Sequence, residues 1–223
     1  VGSEMCIRDR IAAFAKGARR PNSHLIGVTR PFIFGTFEVY RGRDSYTIQK
    51  ANVTNYFEEL VSDLDGVLYG YYFAELAEYY GRENLDAADM INLLYVAFKA
   101  LVNKSLPNEL VRYIYEIRLI AVNGECPDFF SCAGCGSEKE LQLYSYKENG
   151  MYCVECAASS GDGIVLQSST LYTLQYIITA PLTKLFNFVV KADVLNELKK
   201  VVNRIEFITF DKHFKSKEML DIG

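Results

Sequence analysis

The chain has 223 residues, half of them apolar and 23% charged, which suits one large or two small globular domains. No apolar run approaches the roughly 18 residues of a membrane span, and residues 1–11 lack the apolar stretch of a secretory signal, so the expectation is a cytoplasmic protein with no membrane contact. The net charge of −4 hides an asymmetry: residues 11–50 hold seven basic side chains against two acidic ones, a net +5, while 1–10 balance and 51–223 carry −9. A basic section on an acidic body suits a polyanion, and charge alone fits an ordinary basic patch equally well.

The first ten residues, VGSEMCIRDR, do not join smoothly to the strand after them. They read as a non-native leader, like a translated sequencing adapter, and are set aside. Residues 11–53 read as β. Ile11–Ala15 is a short apolar run, Gly17–Ser23 a loop, Pro31–Tyr40 an aromatic strand, Arg41–Ser45 a turn and Ser45–Val53 a second hairpin strand. Tyr56–Tyr80 reads as one long or two broken helices. Asp86 or Asp89 caps the next, Pro107 takes a first helical position, and Asn123-Gly124 stops the helix it begins. Residues 126–163 form a loop-rich insert with a hairpin of Leu141–Tyr146 and Gly150–Cys153. Ser168 or Ser169 then caps a helix that stops before Pro181, and Asp193 caps the last long one, with Lys199, Lys200 and Arg204 on its solvated face.

Within the insert, Cys132-Ala-Gly-Cys135 and Cys153-Val-Glu-Cys156 stand seventeen residues apart, the spacing of a zinc ribbon. Each Cys-x-x-Cys is a knuckle that puts two thiolates on one ion, and the hairpin opposes the pairs. Four protein ligands leave no open position, so one structural Zn²⁺ is expected rather than a catalytic one. A redox pair or an iron–sulfur cluster uses the same residue type, and Cys126 is a fifth candidate that Pro127 and its spacing mark as a spectator. No phosphate-cradling glycine loop, nucleophile elbow or His-Glu-x-x-His motif occurs, so no catalytic residue is assigned.

The segment Ala15-Lys16-Gly17-Ala18-Arg19-Arg20 puts three cations around a glycine hinge, and Arg41 and Arg43 lie on the next hairpin's turn. Lys16, Arg19, Arg20, Arg41 and Arg43 therefore make a candidate track for a phosphate backbone. Phe14, Phe32, Phe34, Phe37, Tyr40 and Tyr46 interleave with them; most are expected in a core, one or two on bases.

FAKGARR, then PF-x-F, the TFEVYRGR turn, a helical region, the four-cysteine insert and a tail with TLYTLQYIITAPLTKLFNF and HFKSKEML resemble the bacterial RecO family over residues 11–222. The resemblance implies an α+β chain. It has an N-terminal OB-fold β-barrel, truncated here because the family's first strand and a half are replaced by the leader, and then an α-helical domain with an embedded four-cysteine zinc knuckle. The expected divisions are 1–10 leader, 11–53 partial OB fold, 54–125 helical domain, 126–163 zinc insert and 164–223 helical C-terminal part. It also implies a non-enzymatic repair mediator of the RecF pathway, cytoplasmic and nucleoid-associated. Such a protein binds single- and double-stranded DNA, anneals complementary strands, meets the C-terminal tail of single-strand-binding protein, and joins RecR to help load RecA. The other reading is a zinc-containing interaction scaffold without DNA binding of its own.

Overall fold

The computed structural model describes residues 11–43, 45–81, 87–159 and 162–222, with side chains to Leu220. The leader and the proposed Asp86 cap lie outside these residues. The described residues up to Val102, joined by those from Ser216, form one compact unit, and Asn103–Lys215 form the other.

In the first unit, β1 (Ala13–Phe14), β2 (Phe34–Arg41) and β3 (Tyr46–Asn55) make a sheet of order β1-β3-β2. The β2–β3 hairpin is antiparallel, and β1 joins β3 in parallel. The hairpin register slips at Phe34/Gly35 and at Glu38/Val39. At the first slip glycine is obligatory, because a Cβ on Gly35 would meet the Asn52 backbone and sit 2.8 Å from Val53 Cα. The expected barrel is not closed. β1 supplies two paired residues, and among the described residues no strand continues the sheet beyond β1 or β2, so what stands is an open three-stranded sheet.

No residue of these strands is fully buried, so the core of this unit lies among its helices. These are α1 (Glu58–Ser62), α2 (Leu64–Tyr80) and α3 (Ala88–Val102), with α8 (Lys215–Ile222) from the chain's end. Asp63, extended at φ −97°, breaks the Tyr56–Tyr80 pattern into two helices. Leu60, Tyr72, Phe73, Leu76, Leu93, Phe98 and Leu101 are buried. Phe32 packs against Tyr71 and Phe98 at 5.0 and 5.1 Å, and Phe34 against Tyr95 at 4.4 Å. Both rings are half-buried against the helices, and none of the six aromatics expected mostly in a core is fully buried. Ser216 ties α8 to α2 by donating from its backbone N–H to Glu75 at 3.0 Å.

The second unit is built on α4 (Asn108–Val122), ten of whose fifteen residues are buried. α6 (Ser168–Thr179) and α7 (Ala192–Thr209) pack against it. A helix so enclosed still carries charge, because partners meet it inside. Arg112 Nε donates to Glu116 Oε1 at 2.7 Å, and its Nη2 lies 3.7 Å from Glu206 of α7. Arg118 donates to the carbonyls of Ile177, at 3.2 Å, and Ile178, so α4 caps the C-terminal end of α6.

Helix ends are where sequence and structure differ most. Asp89 lies inside the first turn of α3, and Pro107 is the N-cap of α4 rather than its first residue. Neither Ser168 nor Ser169 caps α6. Gln167 is its N-cap, and Gln167 donates from its backbone N–H and its side chain to Glu197 of α7 at 3.0 and 3.1 Å. Lys191, not Asp193, is the N-cap of α7. The stop at Asn123-Gly124 stands, with Gly124 at φ +76°. Among the described residues no helix is long and apolar enough to cross a membrane.

Candidate metal centre and nucleic-acid interface

The insert folds as β4 (Leu141–Ser145) and β5 (Gly150–Cys153), followed by the short α5 (Val154–Ala157) and β6 (Ile164–Val165), which pairs with β4. Cys153 ends β5 and Cys156 lies one turn on in α5. The first pair sits on a knuckle closed by Gly136 N–H donating to Cys132 O at 2.8 Å and by Ala133 N–H donating to Met151 O at 2.8 Å. Gly136 takes the positive φ of +75° that this turn needs. Gly134 is required by proximity, since a Cβ there would lie 2.9 Å from Tyr152 and 3.1 Å from the Cys156 sulfur.

The four sulfurs of Cys132, Cys135, Cys153 and Cys156 all lie within 4.8 Å of one another, with Cys135 and Cys153 at 3.7 Å. Thiolates about 2.3 Å from one ion stand about 3.8 Å apart at tetrahedral angles, so the arrangement fits a metal ion. Burial opposes ionising Cys132, but N–H groups of Cys153, Cys135 and Gly134 outweigh it and hold that thiol down at about 6. Hydrogen bonding among the sulfurs pushes Cys156 up to about 12, so a cation is what lets all four ionise together. Cys126 stands outside the cluster, its thiol pushed up to about 12 by burial.

The insert is anchored to its own unit by side chains far away in sequence. Phe129 stacks on Tyr144 at 5.8 Å, and Gln175 of α6 donates to Phe129 O at 2.8 Å. Arg204 of α7 donates to Tyr146 O at 2.6 Å, and Lys199 lies 3.4 Å from Glu109. The face of α7 expected to be merely solvated thus holds contacts to the hairpin and to α4. No local pattern marks Gln175 or Arg204, whose partners are 46 and 58 residues distant.

In the first unit, the residues after β1 form a chain of tight turns. Ala18, Arg20, Ser23 and Ile26 donate to Ala15, Gly17, Arg20 and Ser23 at 2.9–3.2 Å, and buried Leu25 anchors the loop. Gly17 takes φ +80°. Ala15, Gly17, Ala18, Arg19, Arg20, Ile26 and Thr29 line an open hollow of about 730 Å³. Lys16, Arg19 and Arg20 are exposed, and His24 donates to Gln49 O at 3.2 Å, holding the loop to β3. Arg41 ends β2 opposite Tyr46, its guanidinium 5.8 Å over that ring, and Arg43 is exposed on the turn. Both basic segments therefore flank β3. Lys50 is partly neutralised by Glu38 at 3.5 Å.

Residues 61–218 match the family described as Recombination protein O C terminal, and residues 8–57 that described as Recombination protein O N terminal. The DNA repair protein RecO of Acetivibrio thermocellus is 30% identical over 218 residues, covering 96% of this chain and 85% of that protein. The DNA repair protein RecO of Oceanobacillus iheyensis is 28% identical over 216 residues, covering 94% and 81%. That of Desulforamulus reducens is 27% identical over 209 residues, covering 93% and 81%.

Proposed function

The chain belongs to the RecO family of DNA repair proteins, and on that footing we propose that it binds single- and double-stranded DNA and anneals complementary strands. In this role it is a mediator of the RecF pathway. It meets single-strand-binding protein through that protein's C-terminal tail and, with RecR, helps load RecA onto the coated strand. The observation that carries the reading is the exposed cation series Lys16, Arg19 and Arg20 on a loop held beside the sheet, with Arg41 at the end of β2 and Arg43 on the turn that follows it. These cations neutralise phosphates of one strand and so offset its repulsion of a second. No bond breaks in such a process, so the role calls for no catalytic residue and is not an enzyme's. The proposed ion at the four cysteines is a single Zn²⁺. It supplies folding free energy to the insert and no chemistry. The site of action is the bacterial cytoplasm, at the nucleoid.

Fluorescence anisotropy with a labelled single-stranded oligonucleotide tests the reading. Affinity should fall steeply with salt. The double variant Arg19→Ala/Arg20→Ala should bind on the order of tenfold more weakly at low salt, with the log–log salt slope reduced by roughly 2. Salt-insensitive binding, or a double variant like the parent, would sink the assignment. Capture of RecR or single-strand-binding protein without oligonucleotide binding would select the zinc-containing scaffold instead.

A further inference from the structure

The register of the basic sheet sorts its aromatics between two faces. Residues paired across strands point to the same side. Phe14 on β1 and Tyr40 on β2 both pair with Thr47 of β3. They therefore stand in one row on one face, with a small polar residue between them. Ala13, Tyr46 and Arg41 form the adjacent row on the opposite face. Two strand spacings put Phe14 and Tyr40 about 10 Å apart.

Both rings face water. Phe14 is 63% exposed and Tyr40 60%, while Phe32 and Phe34 pack against helical aromatics. A ring kept for stability gains by burial, and these two are not buried. Each is also followed closely by cations. Lys16 comes two residues after Phe14, with Arg19 and Arg20 beyond it, and Arg43 follows Tyr40 by three. Flat apolar rings bordered by positive charge complement a polymer of flat bases and phosphates. A duplex keeps its base faces inside the stack, so only an unpaired strand can use such rings. Two rings amid cations offer little to an apolar protein surface.

We infer that Phe14 and Tyr40 form a stacking platform for the bases of single-stranded DNA, with the Lys16–Arg20 loop and the Arg43 turn taking the phosphates on either side. The inference rests on the DNA-binding reading and adds to it a preference for single over double strands at this face.

The chain contains no tryptophan, so Tyr40→Trp introduces a single fluorescent reporter. Oligo-dT should quench its emission saturably, with the midpoint seen by anisotropy, and a duplex of equal length should not. Phe14→Ala and Tyr40→Ala should each lower single-strand affinity by roughly five- to a hundredfold, leaving duplex affinity and the salt slope unchanged. Anisotropy showing binding without quenching overturns the platform and leaves the DNA-binding reading standing. So does an equal loss for duplex and single strand. No binding of either DNA by the parent chain overturns both. Tyr40→Trp keeps an aromatic at an exposed site, so the quenching measurement stands even where an alanine variant fails to fold.

Discussion

The insert and the basic sheet are both small β structures, and they differ in what orders them. In the insert Cys132, Tyr144 and Met151 are buried, four sulfurs converge, and α6 and α7 reach in to bond its carbonyls. In the sheet no strand residue is fully buried, charged and aromatic side chains face water, and its unit's apolar core lies among the helices. The contrast separates two uses of sequence. The insert spends its unusual residues on staying folded; the sheet spends its own on a surface. Changes in the first should therefore act through stability, and changes in the second through binding.

The largest effect should come from a metal ligand. Structural zinc in a small domain contributes apparent binding free energy on the order of 10 kcal/mol, so losing one of four thiolates should remove most of the insert's order. Elemental analysis should find one zinc per chain in the parent and little in Cys153→Ser. Limited proteolysis should then cut within residues 126–163 of the variant. Its affinity for single-stranded DNA at fixed salt should change by no more than about twofold. Undiminished zinc in the variant would remove Cys153 from the ligand set, and collapse of DNA binding would erase the division between the two regions.

A smaller effect, also confined to the second unit, concerns its buried charges. Burial, and then the charge of Glu206, push Glu116 well above the ordinary carboxylate value of 4.5, against the pull of Arg112. Tyr113 and Tyr115 on α4 also feel its charge, and α6 carries no acidic or basic residue. A carboxyl held protonated by folding binds more protons folded than unfolded. Its contribution is complete below the unfolded value and declines as pH rises toward the folded one. Stability by urea denaturation should thus fall as pH rises above about 5, by up to about 1.4 kcal/mol per pH unit. Glu116→Gln should flatten that slope. Arg112→Ala, which strands two buried carboxyls, should cost about 3–5 kcal/mol. An equally steep slope in Glu116→Gln would place the titrating group elsewhere.

How much was legible in the sequence follows the same division. The cysteine pairs, the 141–153 hairpin and the Asn123-Gly124 stop rest on local chemistry, namely fixed ligand spacing, a tight turn and a glycine with positive φ, and each could be read in order along the chain. The helix starts could not. Ser168, Asp89 and Asp193 are good caps by type, yet the N-caps of α6 and α7 are Gln167 and Lys191, and Glu197 from another helix meets Gln167. A tertiary partner thus meets the start of α6. β6 and α8 were missed because two residues of strand and an eight-residue polar helix carry little periodic signal. In the candidate DNA face the cations were visible as composition. The alignment of Phe14 and Tyr40 in one row across Thr47 was not, because register is a property of three strands together and no single segment states it.

The mildest change should fall on the sheet's own ion pair. Glu38 and Lys50 face each other across β2 and β3 at 3.5 Å, with both side chains more than half exposed. Such a pair contributes about 0.5 kcal/mol, so Glu38→Gln and Lys50→Gln should lower stability slightly and alike. Their effects on DNA should have opposite signs. Glu38→Gln removes one of the two acids in the +5 segment and should strengthen single-strand binding about twofold at low salt; Lys50→Gln should weaken it similarly. Both differences should vanish at high salt, where exposed charges are screened. Parallel shifts in binding would mean that the pair acts by holding the hairpin together, and the sheet would then resemble the insert. Opposed shifts at equal stability would show that its charges are set for the polyanion rather than for the fold.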